Sequence, residues 1–418
     1  MLFRIENFGP IKSFEMDLSK DMHLLYGKNS VGKSYAVGIL YLFLKHFGEF
    51  EVKNPFNFIS KNFKNYEEIL ATKKKKNVFE ISHLIETDFN IIFKNSKFYK
   101  KFIEAINNTI DLKNLDEGFI LVDTDFCKLQ ITYSKTKSNV KCKIHDKYFL
   151  ITDDIKISEK IEEREFRIEN RKGEIIYEAF DSYYAFELGD FYVVLLKNFL
   201  ENSIRHFSNT YFLPASRSGL YPMWSSMGSI FAWIAKHRFG MNKSIEIPPL
   251  SEAISDYFLN ISNSEYGNYE KYAKDIERKV LNGEVILDKV NSKIFYKSFD
   301  IKENLELPYS GSMISELSPL VTYLKNIINS RAKRIMNDEE EALINDDNKF
   351  FIEEFNFLNK KNILIIEEPE AHLHPEAQVE LMKIFADMVQ NSNIKLILTS
   401  HSDYMFAELS NLILGKKI

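Results

Sequence analysis

The stretch LLYGKNSVGKS, from Leu24 to Ser34, decides the fold. Gly27, Gly32, Lys33 and Ser34 fit G-x-x-x-x-G-K-[ST], with Lys28, Asn29, Ser30 and Val31 filling the loop between the glycines. A short apolar segment, HLLY, precedes the loop and the helical pattern SYAVGILYLFLKHF follows it. In that setting the glycines let backbone N–H groups curl around phosphates, the helix N-terminus adds its dipole, and Lys33 supplies a point charge. The Ser34 hydroxyl is the expected Mg2+ ligand. The bland alternative is a plain glycine turn between strand and helix.

A second stretch, NILIIEEPEAHLHPEAQ from Asn362 to Gln378, complements the first. Ile363 to Ile366 is continuously apolar and rich in β-branched residues, which predicts a strand buried on both faces of a parallel sheet. Glu367 and Glu368 then stand at its C-terminal end, where open α/β sheets bind ligands. Glu367 is the candidate Mg2+ ligand, and Glu368 the candidate general base that polarises an attacking water. Downstream, IKLILTSHS reads as another buried strand, ending in Thr399, Ser400 and His401, which is well placed to touch a γ-phosphate. Together the two halves predict a site for ATP and Mg2+. A rival reading of Glu370, His372 and His374 is a transition-metal site, since Glu and His at this spacing can converge on one ion.

Composition bounds the rest. A chain of 418 residues, 45% hydrophobic and 28% charged, can bury one large core or two to three smaller ones. A net charge of −5 gives no global basic field, so any DNA contact would need a local patch or a partner. Cys127 and Cys142 lie far from any paired Cys/His spacing, against a structural zinc or a disulfide framework. The N-terminal MLFRIENFGPIKS has charge and proline where a signal peptide needs an apolar core, and no apolar run approaches the roughly 18 residues of a bilayer span. A cytoplasmic protein without membrane contact is the expectation.

The phosphate loop, IIEEPEAHLHP and TSHS resemble the ATP-binding-cassette ATPases of the SMC/RecF/OLD type, especially the compact bacterial anti-phage ATPases, including OLD-like chains without a nuclease and Septu- or PARIS-type subunits. The opening FRIENFGPIKSFEMDL resembles that family's first strands. The resemblance implies an α/β P-loop head of ABC type with a mixed sheet and helices, a β-rich lobe and an inserted helical region. It also implies a homodimer, or a higher homo-oligomer, that sandwiches ATP, each site being completed by a signature segment from the other copy. Ser310, Gly311 and Ser312, in LPYSGSMISELSPL, occupy the signature's place; read without the family they are a turn and a helix cap. Ala371 to Pro375 resembles the segment that lies across the dimer seam.

On this reading residues 1–50 and 301–418 are the two halves of the head, 51–115 a helical insertion, 116–188 the β-rich lobe, and 189–300 a helical insertion with return strands. Residues 189–207, 224–239, 251–262 and 269–281 read as helical, without the sustained heptads of a long coiled-coil arm. The run Lys73 to Lys76 and the acidic run Asp338 to Glu341 read as solvated loops. None of Gln130, Gln378 and Gln390 is convincingly placed as the family's glutamine loop. Arg217, in NTYFLPASRSGLYP, stands open between reaching a phosphate or partner and capping a turn.

The stretch after His401 is too short for the TOPRIM nuclease of OLD-type proteins, and no Arg-x4–6-His or H-N-H pattern occurs. An effector, nuclease or toxin, is therefore expected on a separate protein. The expected function is an ATPase acting as sensor or scaffold in an anti-phage or DNA-processing assembly. The alternatives are a nucleotide-switched scaffold with negligible turnover and a RecF-like repair ATPase that binds DNA.

Overall fold

The computed structural model describes residues 1–28, 32–48, 76–109, 117–124, 127–134, 137–158, 161–180, 207–223, 251–262, 267–289, 293–300, 303–328 and 361–415. In chain order these form β1 (Leu2–Phe8), β2 (Ile11–Asp17), β3 (Met22–Tyr26), α1 (Lys33–Gly48), β4 (Lys76–Glu80), α2 (Ser82–Asn95), α3 (Lys97–Thr109), β5 (Glu117–Asp123), β6 (Cys127–Ser134), β7 (Ser138–Ile144), β8 (Tyr148–Ser158), β9 (Ile161–Asn170) and β10 (Ile175–Phe180). Then follow β11 (Phe207–Leu213), α4 (Glu252–Ser262), α5 (Glu270–Ile276, continued by a π-helical turn), β12 (Gly283–Asp288), β13 (Lys293–Ser298), β14 (Asn304–Glu306), α6 (Ser312–Asn326), β15 (Lys361–Glu367), α7 (Pro375–Asn391), β16 (Ile394–Ser400) and α8 (Asp403–Leu414). The amphipathic stretches predicted at 251–262 and 269–281 are helices; 189–206, 224–239, Lys73 to Lys75 and Asp338 to Glu341 fall outside the described residues.

Two compact units emerge. One comprises residues 1–19, 46–107 and 111–205, so the opening hairpin groups with the β-rich segment. Its five-stranded antiparallel sheet runs β2-β1-β5-β6-β7, beside a four-stranded sheet ordered β10-β9-β8-β4. The alternation read from the sequence is realised in β6, where every second residue is buried. Gly118 fixes the β1–β5 register: a Cβ there would lie 2.6 Å from the Phe8 ring. Edge strand β7 is partly covered by α2, whose Asn90 and Glu86 side chains accept from the N–H groups of Cys142 and Ile144.

The other unit comprises residues 20–45, 108–110 and 206–418. Its centre is a four-stranded all-parallel sheet ordered β11-β15-β16-β3. The two middle strands are buried almost throughout, six of seven residues in β15 and all seven in β16. That is why residues 363–366 and 396–398 read as unbroken apolar runs. Leu364, Ile366, Leu396 and Leu398 join Leu381, Met382 and Phe385 of α7 and Leu317, Leu320 and Leu324 of α6 in one core. Each such side chain contributes about 1.5–3 kcal/mol by leaving water. Among the described residues no helix is long and apolar enough to cross a membrane.

Candidate functional site

Because the four central strands run parallel, the segments leaving β3, β11, β15 and β16 gather at one end of the sheet. From β3 comes the phosphate loop. Gly27 and Gly32 adopt φ of 153° and 88°, and the latter is a conformation that an L side chain resists. The Gly32 carbonyl accepts from Ala36 N–H at 2.9 Å and opens α1. Lys33 Nζ folds back over the loop, donating to the carbonyls of Gly27 (2.6 Å) and Lys28 (2.9 Å), and lies 3.3 Å from His401 Nδ1. Burial pulls the ammonium's pKa down, opposed by the charges of Glu368 and Glu370. Asn29, Ser30 and Val31 fall outside the described residues.

From β15 come the two glutamates, and their environments differ sharply. Glu367 is 7% exposed; its Oε2 accepts from Ala215 N–H at 3.3 Å, whereas its Oε1 is buried with no hydrogen-bond partner. Burial raises its pKa, and the nearby Ser34 hydroxyl and Ala215 N–H oppose that rise. Glu368 instead points outward, with Oε1 3.5 Å from His401 Nε2. Its backbone sits at φ 44°, a strained value for a non-glycine residue. The Glu368 N–H to Thr399 carbonyl bond, 3.0 Å, carries the ladder one residue past the strand.

His401 is held by its own backbone. Glu370 Oε1 accepts from His401 N–H (2.7 Å) and from Ser400 Oγ (2.8 Å). Gln378 donates to the Leu373 carbonyl at 2.8 Å and accepts from the Ser402 hydroxyl, stitching the 371–375 turn to the residues after His401. With Glu370 turned inward and His372 and His374 exposed, the rival transition-metal arrangement does not form; no group of three or more His, Cys, Asp or Glu assembles for a metal among the described residues. Gln130 lies mid-strand in β6, opposite Leu121 and Lys141, and so belongs to the other unit.

Arg217 resolves the reading left open. It is 1% exposed, and its guanidinium is committed to backbone carbonyls. It does close the turn after β11, through Nη1 to the Pro214 carbonyl at 2.8 Å. Beyond that, Nη1 donates to the Glu367 carbonyl (2.7 Å), Nη2 to the Glu368 carbonyl (3.2 Å) and Nε to the Glu316 carbonyl (2.9 Å). Glu316, fully buried in α6, was not singled out in sequence. The available signal was a lone carboxylate inside the apolar run of that helix.

Residues 310–312 sit at the start of α6. Ser310 Oγ turns inward to the Leu307 carbonyl (2.7 Å) and Ser315 Oγ (3.1 Å), while Gly311 and Ser312 stay exposed. Among the described residues no hydrogen bond or ion pair joins these three to Lys33, Glu367, Glu368 or His401. The connection between the two regions runs through Glu316 and Arg217.

The donor set fits Mg2+: a hard cation takes oxygen ligands, and the site offers an orphaned carboxylate oxygen of Glu367 beside the hydroxyl of Ser34. The remaining groups are a cation poised over the phosphate loop and an outward carboxylate paired with a histidine, an arrangement suited to orienting a nucleophilic water against a phosphoryl group.

Among solved structures, the chain is similar to the SMC head domain from Thermotoga maritima at 9% identity, covering 97% of this chain and 90% of that one with a TM-score of 0.31. It is also similar to an Smc head domain from Pyrococcus furiosus bound to the C-terminal domain of ScpA, at 13% identity, 97% and 90% coverage and a TM-score of 0.30. For the recombination mediator protein RecF the values are 12%, 97%, 92% and 0.24. No curated protein matches the sequence. A family model described as an AAA ATPase domain matches residues 1–406, and it is on that match, together with the phosphate loop and the strand-borne glutamates, that the assignment rests. The chain belongs to the AAA ATPase domain family.

Proposed function

We propose that this chain binds and hydrolyses ATP with Mg2+, two copies enclosing the nucleotide, as the sensor or scaffold subunit of an anti-phage or DNA-processing assembly whose effector is a separate protein. The observation that carries the catalytic part is the convergence of Lys33, Glu368 and His401 within 3.5 Å steps of one another at the end of the parallel sheet. The defence role draws on the resemblance of IIEEPEAHLHP and TSHS to the anti-phage ATPases.

Each residue has a distinct task. Lys33, held above the loop by two carbonyls, supplies the positive charge that a terminal phosphate meets. Glu367 and Ser34 would hold Mg2+, which when bound offsets phosphate charge. Glu368 takes the proton of the attacking water, and His401, whose ring lies between Lys33 and Glu368, orients the γ-phosphate end of the site. Residues 310–312 would complete the site of a second copy.

The test is the mass in solution of Glu368→Gln with and without Mg-ATP, together with its turnover. Loss of the base should trap ATP, so that the variant gains mass with ATP while wild type gains it only transiently, and turnover should fall by about 10²–10⁴-fold. Turnover unaffected by this substitution rules out Glu368 as the base. A second reading, a nucleotide switch with negligible turnover, is favoured by the engagement of Gln378 in the 371–375 turn and of Gln130 in β6, which leaves neither free as a glutamine loop. It predicts ATP binding without turnover that depends on Glu368.

A further inference from the structure

Arg217 and Glu316 form an ion pair, 3.3 Å from Nε to Oε2, in which both side chains are 1% exposed. Neither belongs to the phosphate loop, the strand-borne glutamates or the switch histidine, yet Arg217 donates to the backbone carbonyls of both strand-borne glutamates. The Glu316 carboxylate accepts from Ser218 N–H (3.0 Å), Ser218 Oγ (2.6 Å) and Arg217 N–H (3.2 Å), clamping the turn after β11 to α6. The guanidinium spans from the Glu316 carbonyl on one side to the carbonyls of Glu367 and Glu368 on the other. Those two carbonyls flank the Glu368 Cα, so the pair fixes the peptide planes on both sides of a residue held at φ 44°.

A buried pair of this kind is a costly way to fill space, because apolar side chains of similar volume do so without desolvating two charges. What apolar residues cannot do is donate in three directions from one rigid plane, which is the property of a guanidinium. Glu316 lies one helical turn beyond Ser312, at the start of the helix that carries the exposed Gly311 and Ser312. A displacement of that helix start is therefore transmitted through two side chains to the backbone of the candidate base.

We infer that Arg217 is a positioning residue for hydrolysis and that the Arg217–Glu316 pair couples the start of α6, where a second copy's nucleotide would dock, to the orientation of Glu368. This rests on the ATPase reading proposed above. The coupling sets how the base is aimed and leaves nucleotide affinity, which comes from the phosphate loop, largely alone.

The experiment compares wild type with Glu316→Gln, Arg217→Lys and the double variant Arg217→Met with Glu316→Leu. The double variant removes both buried charges at once, so that neither is left unpaired in the core as a single change would leave it. ATP turnover and hydrogen exchange of the peptide covering residues 366–373 are measured for each, with the peptide covering residues 20–28 as the internal reference. The expected result is a kcat about 10–100-fold lower with KM within about 3-fold, as for a misaimed catalytic group, and faster exchange across 366–373 alone. Lysine should not rescue, since one ammonium cannot span the carbonyls of Pro214, Glu316, Glu367 and Glu368. A folded double variant with wild-type kcat overturns the proposal. If wild type itself lacks Glu368-dependent turnover, the ATPase reading fails separately and the exchange of residues 366–373 decides: unchanged exchange in the folded double variant overturns the coupling.

Discussion

Replacing Glu367 by glutamine should make the protein more stable and less functional at the same time. The carboxylate is 7% exposed, its Oε1 accepts no hydrogen bond, and burial raises its pKa. A carboxyl whose folded pKa lies above its unfolded value favours the folded state fully below the unfolded pKa, and that contribution is lost as pH rises through the folded pKa. Wherever the carboxylate is ionised and without metal, wild type carries a buried charge that the amide removes. An unsatisfied buried polar group costs about 1–3 kcal/mol, and relieving most of it, on the order of 1–2 kcal/mol, raises Tm by about 2–8 °C for a unit of a few hundred residues. Differential scanning calorimetry in EDTA at neutral pH reads this gain, which should shrink as the buffer is taken down toward pH 4 and wild type protonates. Mg-ATP should reverse the order if Glu367 holds Mg2+ as proposed, because binding then stabilises wild type and the variant lacks that ligand. A lower Tm for Glu367→Gln in EDTA at neutral pH would refute the reasoning, since it would mean that the charge is satisfied by the protein itself.

Lys33→Ala should abolish detectable binding of a fluorescent ATP analogue with little change in Tm, because among the described residues its Nζ meets only the Gly27 and Lys28 carbonyls and the ring of His401. Ile365→Ala, in the fully buried centre of β15, should cost about 2–5 kcal/mol by urea unfolding, as a cavity lined on both faces cannot collapse. Asp21 is affected first by burial, which raises its pKa, but hydrogen bonds from Lys361 and Lys395 outweigh this and leave it below the ordinary carboxylate value. Its contribution is present above the unfolded pKa and lost as pH falls through the folded one, so Asp21→Asn should be less stable than wild type at neutral pH, the two converging below about pH 4 in acid titrations followed by circular dichroism.

What could be read from the sequence was whatever lies within a few adjacent residues. The phosphate loop, the glutamate pair and His401 each sit in a short pattern whose local chemistry is self-contained, and the structure gathers Lys33, Glu368 and His401 at one sheet end. Arg217 could not be read, because its partners lie 99 and 150 residues away at Glu316 and Glu367, and nothing in PASRS says what a buried guanidinium will meet. Residues 2–17 alternate like any strand pair, and only the partner strand, β5, tells which sheet they join. The strand order β11-β15-β16-β3 was equally out of reach, since the buried middle strands β15 and β16 offer the same apolar pattern whichever neighbour they take.

That strand order also governs when the protein can first hold a nucleotide. β3, which leads into the phosphate loop near the N-terminus, pairs within its sheet with β16 near the C-terminus, through contacts from Met22–Leu396 to Tyr26–Ser400. On the ribosome the loop is made long before the strand that anchors it. Long-range parallel pairing of this kind is slow, and β3 must wait unpaired until β16 has been made. Nucleotide therefore cannot template early folding of this chain; ATP becomes a stabilising ligand only once residues 394–400 have left the exit tunnel and closed the sheet.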